Sequence, residues 1–217
     1  FSAGEGTEAS GSHAVAFGIN TTASGSYSTA MGEGTTGSGR RSTALGKTTI
    51  ASDFASLVIG QFNSSGSSVT NSATVFSTSN TAFVIGNGTA SNSKSDAFKV
   101  MFNGDATVSN DLTVSGDVNI SSDARLKSNI VSLGSTLSKL LLIDGKSYTM
   151  NKSGDEKIGI LAQEVQEVFP ELVSKDENEM LSVNYQGLVP VLINAIKEQE
   201  DKISRLEKLV EQLISEK

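Results

Sequence analysis

The residues with the clearest potential for chemistry are a serine and a lysine five positions apart, Ser122 and Lys127. A serine hydroxyl is a poor nucleophile unless a base takes its proton. A lysine can be that base only where burial lowers its pKa from about 10.4 toward neutrality. Five extended residues span roughly 16 Å, at about 3.3 Å per residue. The chain must therefore turn between the two residues, or Lys127 must act on Ser122 of a neighbouring subunit.

Three sequence blocks place this pair in a wider pattern. They are SDARLK at Ser122–Lys127, GILAQEVQEVFPELV at Gly159–Val173, and LSVNYQGLVPVLINAIKEQEDKISRLEKL at Leu181–Leu209. In residues and order they resemble the intramolecular chaperone auto-processing domain, also called peptidase S74, whose signature is SDxRxK. That family occurs at the C-termini of phage tail spikes and fibres. Serine–lysine pairs at this spacing are common by chance, so the chemical assignment depends on the whole pattern.

The resemblance implies an α+β chaperone domain over residues 122–217 that trimerises and then cuts itself off. It implicates Ser122 and Lys127 as a catalytic dyad, with cleavage between Ser121 and Ser122. Asp123 and Arg125 are interpreted as structural, as a helix cap or an ion pair, with orientation of the scissile peptide as the alternative. Neither a cofactor nor a metal is expected.

A heptad pattern over residues 188–217 predicts a coiled coil. Its a positions are Val189, Ile196, Ile203 and Val210, and its d positions are Leu192, Gln199, Leu206 and Leu213. β-Branched residues at a with leucine at d favour a dimer, but a wider apolar face including Ile193, Leu209 and Ile214 permits a third helix. The trimer is therefore implied by the family resemblance. Gln199 is predicted to set the register at a cost in stability.

The N-terminal part of the chain repeats with a period of 14 residues, seen in the glycines at 4, 18, 32, 46 and 60. Short segments with alternating large and small apolar residues precede these glycines, as strands require. A second series at 11, 25 and 39 is predicted to form corners with positive φ. Stacked turns make a solenoid. Residues 1–63 resemble the head repeats of trimeric autotransporter adhesins, which implies a left-handed parallel β-roll.

Residues 64–121 are predicted to form a connector and a β-stem. Short alternating strands are expected around Phe98–Phe102, Leu112–Val114 and Val118–Ile120. Strands this short are marginal alone. Three chains wound together would complete them, and the alternative is a small monomeric antiparallel sheet.

Composition excludes several classes of function. The net charge is −7 and no part of the sequence is basic enough to indicate binding to the phosphates of a nucleic acid. The chain has no cysteine and one histidine, His13, so disulfide frameworks and histidine-cluster metal sites are excluded. No apolar run approaches the roughly 20 residues of a membrane span. Gly32, Gly34 and Gly37 spell GxGxxG without a flanking buried strand and helix, so they do not indicate dinucleotide binding.

The two family resemblances together imply the C-terminal part of a homotrimeric viral tail fibre or spike, and we expect it to start within a longer chain. The mature fibre would belong to the virion, and the chaperone domain would act in the host cytoplasm during assembly. A host cell-surface receptor is a candidate partner of the N-terminal repeats, where Arg40 and Arg41 could contact an anionic sugar. The alternatives are a fragment of a bacterial trimeric surface adhesin and a structural trimer with an inactive dyad. No nucleic-acid partner or membrane insertion is expected.

Overall fold

A computed structural model describes residues 1–176 and 179–216 of the chain. Contacts within the chain divide it into two compact units, Phe1–Asn119 and Ile120–Lys217.

The N-terminal unit is built from long and short strands in alternation. The long strands are β1 (Ser2–Glu5), β2 (Val15–Ile19), β4 (Thr29–Glu33), β6 (Thr43–Lys47) and β8 (Leu57–Gln61), and the short ones are β3 (Thr22–Ala23), β5 (Thr36–Gly37) and β7 (Ile50–Ala51). Long strands pair in parallel with their neighbours one repeat away, as Ala16↔Ala30 and Ala30↔Ala44 show. The short strands form a second parallel sheet. This confirms the predicted solenoid-like stack.

Small side chains fill the interior of the stack. Ala16, Ala30, Ala44 and Val58 lie one above another on the long strands and are fully buried. Large side chains at the alternate positions point outward, and Phe17 and Met31 are exposed. The two predicted faces are therefore assigned: the small one packs inside, and the large one forms an apolar outer stripe.

The prediction that the second glycine series adopts positive φ is wrong. Gly11, Gly25 and Gly39 are absent from the positive-φ residues, and the left-handed corners lie two positions later at residues such as Tyr27 (φ 61°) and Arg41 (φ 62°). Glycine is required for a different reason, which is close packing between turns. A Cβ on Gly25 would lie 2.2 Å from the carbonyl oxygen of Gly39.

At the last turn of the stack, side chains form the hydrogen bonds that the backbone of a further strand would otherwise make. The Asn63 amide accepts a hydrogen bond from the Ile50 N–H (2.8 Å) and donates one to the Ile50 carbonyl (2.9 Å). Asp53, at a position that is glycine in earlier turns, accepts hydrogen bonds from the N–H groups of Thr70 (2.7 Å) and Thr81 (2.8 Å). These contacts satisfy backbone groups that the end of a repeat array otherwise exposes.

The main sheet continues beyond residue 63, where the predicted repeats end. Strand β9 (Thr81–Asn87) adds in parallel to β8, and β10 (Asp96–Met101) and β11 (Ala106–Val108) follow as antiparallel neighbours. The strands expected at Leu112–Val114 and Val118–Ile120 are not formed, and these apolar side chains are exposed. The physical reason is that an isolated strand has no neighbour to complete its hydrogen bonds.

The described residues of the C-terminal unit form two hairpins and three α-helices, besides single turns of 3-10 helix. Helix α1 (Leu137–Leu140) precedes the hairpin of β12 (Lys146–Thr149) and β13 (Glu156–Gly159). Helix α2 (Ala162–Val168) ends before Pro170 and leads to the hairpin of β14 (Val173–Lys175) and β15 (Leu181–Val183). The core joins Val165 and Phe169 at the end of α2 to Val191 on α3 (Leu188–Ser215).

Helix α3 is 28 residues long and confirms the predicted C-terminal helix. Only Val191 and Ala195 are buried along it. The apolar a and d side chains are exposed in the single chain, including Ile196 (62%) and Leu206 (60%). Residue 217, the last of the predicted coiled coil, lies outside the described residues.

Candidate functional site

A single tight turn connects the two residues of the predicted dyad. Residues Ala124–Leu126 form one turn of 3-10 helix, and the Lys127 N–H donates to the Ala124 carbonyl (3.1 Å). Asp123 caps the turn by accepting a hydrogen bond from the Arg125 N–H (2.8 Å). Aspartate is a favoured cap because its carboxylate satisfies a backbone N–H that the helix leaves free.

An ion pair across the turn reinforces this cap. Arg125 Nε lies 3.0 Å from Asp123 Oδ1, and Arg125 Nη2 lies 2.8 Å from Asp123 Oδ2. The hydrogen bonds from the Arg125 side chain, and then from its N–H, lower the pKa of Asp123, while the pKa of Arg125 is raised. Both side chains are exposed, so the pair contributes little to global stability. Its effect is to fix the direction of the turn.

The turn brings Lys127 back onto Ser122 within one chain. Lys127 Nζ lies 2.6 Å from Ser122 Oγ and 3.2 Å from the Ser122 carbonyl oxygen. Of the two arrangements open from the sequence, a turn and an intersubunit contact, the structure contains the first. A hydroxyl within hydrogen-bond reach of an amine is the geometry that nucleophile activation requires.

The dyad has little cover from its own chain. Ser122 and Lys127 are exposed. The neighbouring apolar side chains Leu126 (70%) and Val131 (83%) also lie largely in solvent. Burial of the ammonium group, which a lysine base requires, is therefore not supplied by the described residues of this chain.

Glu198 on α3, which the sequence did not single out, binds residues 135–137, a short distance along the chain from the dyad turn. Its carboxylate accepts hydrogen bonds from Ser135 Oγ (2.7 Å), from the Leu137 N–H (3.1 Å) and from the Thr136 N–H. The bond from the Ser135 hydroxyl, followed by that from the Thr136 N–H, lowers the pKa of Glu198. In the sequence Glu198 is one of many charges flanking the heptads, and no local signal distinguishes it.

Other candidate features lie elsewhere or are absent. An open groove lined by residues including Tyr148, Met150 and Tyr185 contains neither member of the dyad. Among residues 1–176 and 179–216 there is no cluster of acidic or histidine side chains suited to a metal. Across the same residues, no helix has the length and apolar character needed to cross a bilayer.

Gly32 and Gly34 have positive φ in the stacked turns and do not precede a helix. His13 stacks on Tyr27, with ring centroids 5.0 Å apart, along one corner of the stack. On the same edge Arg41 lies over the Phe54 ring at 5.5 Å. These side chains pack against the adjacent turn, as corner residues of a repeat do.

Comparison with known families agrees with both resemblances. Residues 122–174 match the Peptidase S74 family model, described as the chaperone of endosialidase. The match includes the first two sequence blocks and ends before the third. Residues 9–35 match the YadA head domain repeat in two copies. A search among curated proteins gave no match.

The two matches occur in the order expected of a trimeric adhesin or fibre that carries an endosialidase-type chaperone domain. Domains of this type indicate homo-oligomerisation, and the name of the matched family associates residues 122–174 with peptidase chemistry. The chain thus joins head-domain repeats of YadA type to a segment that matches the Peptidase S74 chaperone family.

Proposed function

We propose that this chain is the C-terminal part of a homotrimeric viral fibre or spike whose chaperone domain drives assembly and then releases itself by autoproteolysis between Ser121 and Ser122. The observation that carries the proposal is the 2.6 Å contact between Lys127 Nζ and Ser122 Oγ. It lies at the start of the segment that matches the S74 family.

Trimerisation is supported by the unpartnered apolar face of α3. The a and d residues along the helix, such as Ile196, Ile203 and Leu206, are exposed in one chain. Each fully buried aliphatic side chain contributes about 1.5–3 kcal/mol relative to exposure. Association in a coiled coil offers this gain, and the widened apolar face accommodates three helices.

The reaction begins when Lys127, as a neutral amine, takes the proton of Ser122 Oγ. The oxygen attacks the carbonyl carbon of Ser121, which closes a five-membered ring and gives a tetrahedral oxyanion. The C–N bond then breaks, the Ser122 nitrogen takes a proton from Lys127, and an ester links Ser121 to Ser122 Oγ. Water hydrolyses the ester, leaving a carboxylate on Ser121 and a free amine on Ser122. Assembly supplies the burial that the lysine needs to act as a base.

Assembly before cutting also answers a kinetic difficulty of fibres. An intertwined stem within residues 64–121 depends on contacts between chains, and non-local contacts form slowly. A coiled coil forms from local contacts and holds the stems at high effective concentration. Removing the chaperone domain after folding prevents the stem from unfolding by the route along which it folded. The fibre is then kinetically stable.

The viral setting is favoured over a bacterial surface adhesin because residues 122–174 match the S74 chaperone family, which occurs in phage tail spikes and fibres. In this setting the repeats belong to the virion and the chaperone domain acts in the host cytoplasm. The head repeats would contact a host cell-surface receptor. The third reading, a structural trimer with an inactive dyad, is separated from the proposal by the cleavage test.

The test is intact-mass analysis and a denaturing gel of the expressed chain. Two fragments are expected, one ending at Ser121 and one beginning at Ser122. The Ser122→Ala variant serves as the control and should stay whole. A cut at another peptide bond, including that between Ser122 and Asp123, rejects the assignment, and an uncut wild-type trimer supports the inactive-dyad alternative.

A further inference from the structure

The dyad loop, residues 122–133, is attached to the rest of the C-terminal unit through a short anchor segment, residues 134–137. In the described part of the chain, every hydrogen bond of the dyad loop stays within residues 122–134. Its apolar side chains Ile130, Val131 and Leu133 are exposed. Within one chain, the binding of the anchor segment to the core therefore sets the position of the dyad loop.

The anchor segment binds α3 at several points. Besides the three hydrogen bonds to Glu198, Thr136 Oγ1 donates to the Val191 carbonyl (2.9 Å), and Asn194 Nδ2 donates to the Gly134 carbonyl (3.3 Å). Thr136 is buried with 2% exposure. Glu198 makes most of the hydrogen bonds between the anchor segment and α3, because its one carboxylate accepts from donors on three consecutive residues.

Glu198 lies on a different side of α3 from the proposed trimer seam. Numbered from Val189 at position a, Glu198 falls at position c. Val191, whose carbonyl accepts the Thr136 hydroxyl of the anchor segment, is also at position c, and Ala195 is at position g. The apolar a and d residues are left for neighbouring helices. Helix α3 thus has its seam free for partner helices, while its other side binds the anchor segment that leads to the dyad loop.

We propose that Glu198 is a positioning residue for self-cleavage, which fixes the anchor segment to α3 and thereby holds the dyad loop where assembly can cover it. This inference rests on the proposed autoproteolysis. The physical path is continuous: ordering of α3 fixes Glu198, Glu198 fixes Ser135 to Leu137, and these residues fix the base of the dyad loop. The competing arrangement is direct cover of the dyad by a neighbouring chain, without any contribution from the anchor.

The experiment compares assembly and cleavage in one refolding time course, using light scattering and a denaturing gel. Glu198→Ala removes all three acceptor contacts, whereas Glu198→Gln retains an oxygen for the two N–H groups. Glu211→Gln is the matched control, since Glu211 is an exposed glutamate on the same helix outside the anchor. Both Glu198 variants should form trimers. Cleavage should slow by at least about tenfold in Glu198→Ala and less in Glu198→Gln, because a displacement of about 1 Å can cost on the order of 100-fold in rate.

Cleavage of the Glu198→Ala trimer at the wild-type rate overturns the inference and favours direct cover by a neighbouring chain. Failure of the wild-type chain to cut itself is a distinct result, which removes the proposed function and the positioning role together. Slower cleavage in the Glu211→Gln control as well as in Glu198→Gln would assign the effect to helix charge and also overturn the inference.

A second measurement separates positioning from simple stabilisation. In the uncut Ser122→Ala background, hydrogen exchange is followed with and without Glu198→Ala. A purely structural role raises exchange only near the anchor segment. Positioning also raises it at the amides of Leu126 and Lys127, which donate to the carbonyls of Asp123 and Ala124. Unchanged exchange at these two amides contradicts the inference.

Discussion

At the scale of single residues, the contact between Ser122 and Lys127 is produced by the four intervening positions of the chain. Asp123 caps the turn and Arg125 pairs with it, so two polar side chains close a loop that an extended chain would leave roughly 16 Å long. The turn orients Lys127 without burying it. The geometry of the turn is therefore local, whereas the burial of Lys127 that the proposed reaction needs is assigned to assembly.

The residue-scale prediction concerns Lys127, the proposed base. Lys127→Ala and Lys127→Arg should both abolish cleavage, the second because a guanidinium is effectively never deprotonated in proteins. Both variants should still assemble, since folding depends on the strands and α3. Intact mass reports cleavage, and light scattering reports assembly. Normal cutting in Lys127→Ala would require a different base.

At the scale of elements, the stack of strands depends on how its last turn is closed. Each turn buries its faces against its neighbours, so the terminal turn needs a substitute for the missing one. Asn63 supplies it for β7 by binding both backbone groups of Ile50. Asn80 does the same for Ser72, with two hydrogen bonds of 2.8 Å.

The element-scale prediction is a loss of stability when this cap is removed. Asn63→Leu keeps a similar side-chain size but leaves the N–H and carbonyl of Ile50 without their partners. An unsatisfied buried backbone group costs about 1–3 kcal/mol, so the free energy of unfolding should fall by a few kcal/mol. Chemical denaturation in the uncut Ser122→Ala background measures it. The control is Asn71→Leu, at an exposed asparagine, and an equal effect from both would remove the capping role.

At the scale of the whole molecule, several regions of the described chain expose apolar side chains, and three of them bear on association. These are the outer stripe of the stack with Phe17, residues 110–121, and the seam of α3 with Ile196. Contiguous apolar surface of this kind marks interaction sites in soluble proteins. Association of identical chains would cover all three regions, which agrees with the proposed trimer.

The whole-molecule prediction ties cutting to assembly. Replacing Ile196 and Ile203 by aspartate places carboxylates from every chain in the proposed core, and unpaired buried charges cost several kcal/mol each. The double variant should be monomeric or aggregated, and uncut although the dyad is intact. Light scattering and a gel on the same sample measure both properties.

Lys197→Asp with Ser204→Asp is the matched control, because these positions lie on α3 outside the seam and should retain trimers. A monomeric Ile196→Asp, Ile203→Asp chain that still cuts itself efficiently would show that one chain holds the complete active site.

The sequence by itself determined the features that depend on periodicity and local chemistry. The 14-residue period set the strand positions and their parallel register, because stacking requires equivalent residues to align. The heptads over residues 188–217 predicted α3, and Pro170 limits how far α2 extends. The three blocks identified the family that residues 122–174 match.

Tertiary structure decided what depends on residues distant in the chain. Glycine is required at position 25 because any side chain there would collide with the carbonyl oxygen of Gly39, one turn away. The backbone angle φ of Gly25 does not reveal this requirement. Strand β9 pairs with β8 after a long loop that breaks the 14-residue period. The period therefore does not predict this pairing. Glu198 meets the anchor segment across about 60 residues of chain, and a contact of that separation has no local sequence signal. Local pattern thus fixes elements, while packing selects which of their side chains meet.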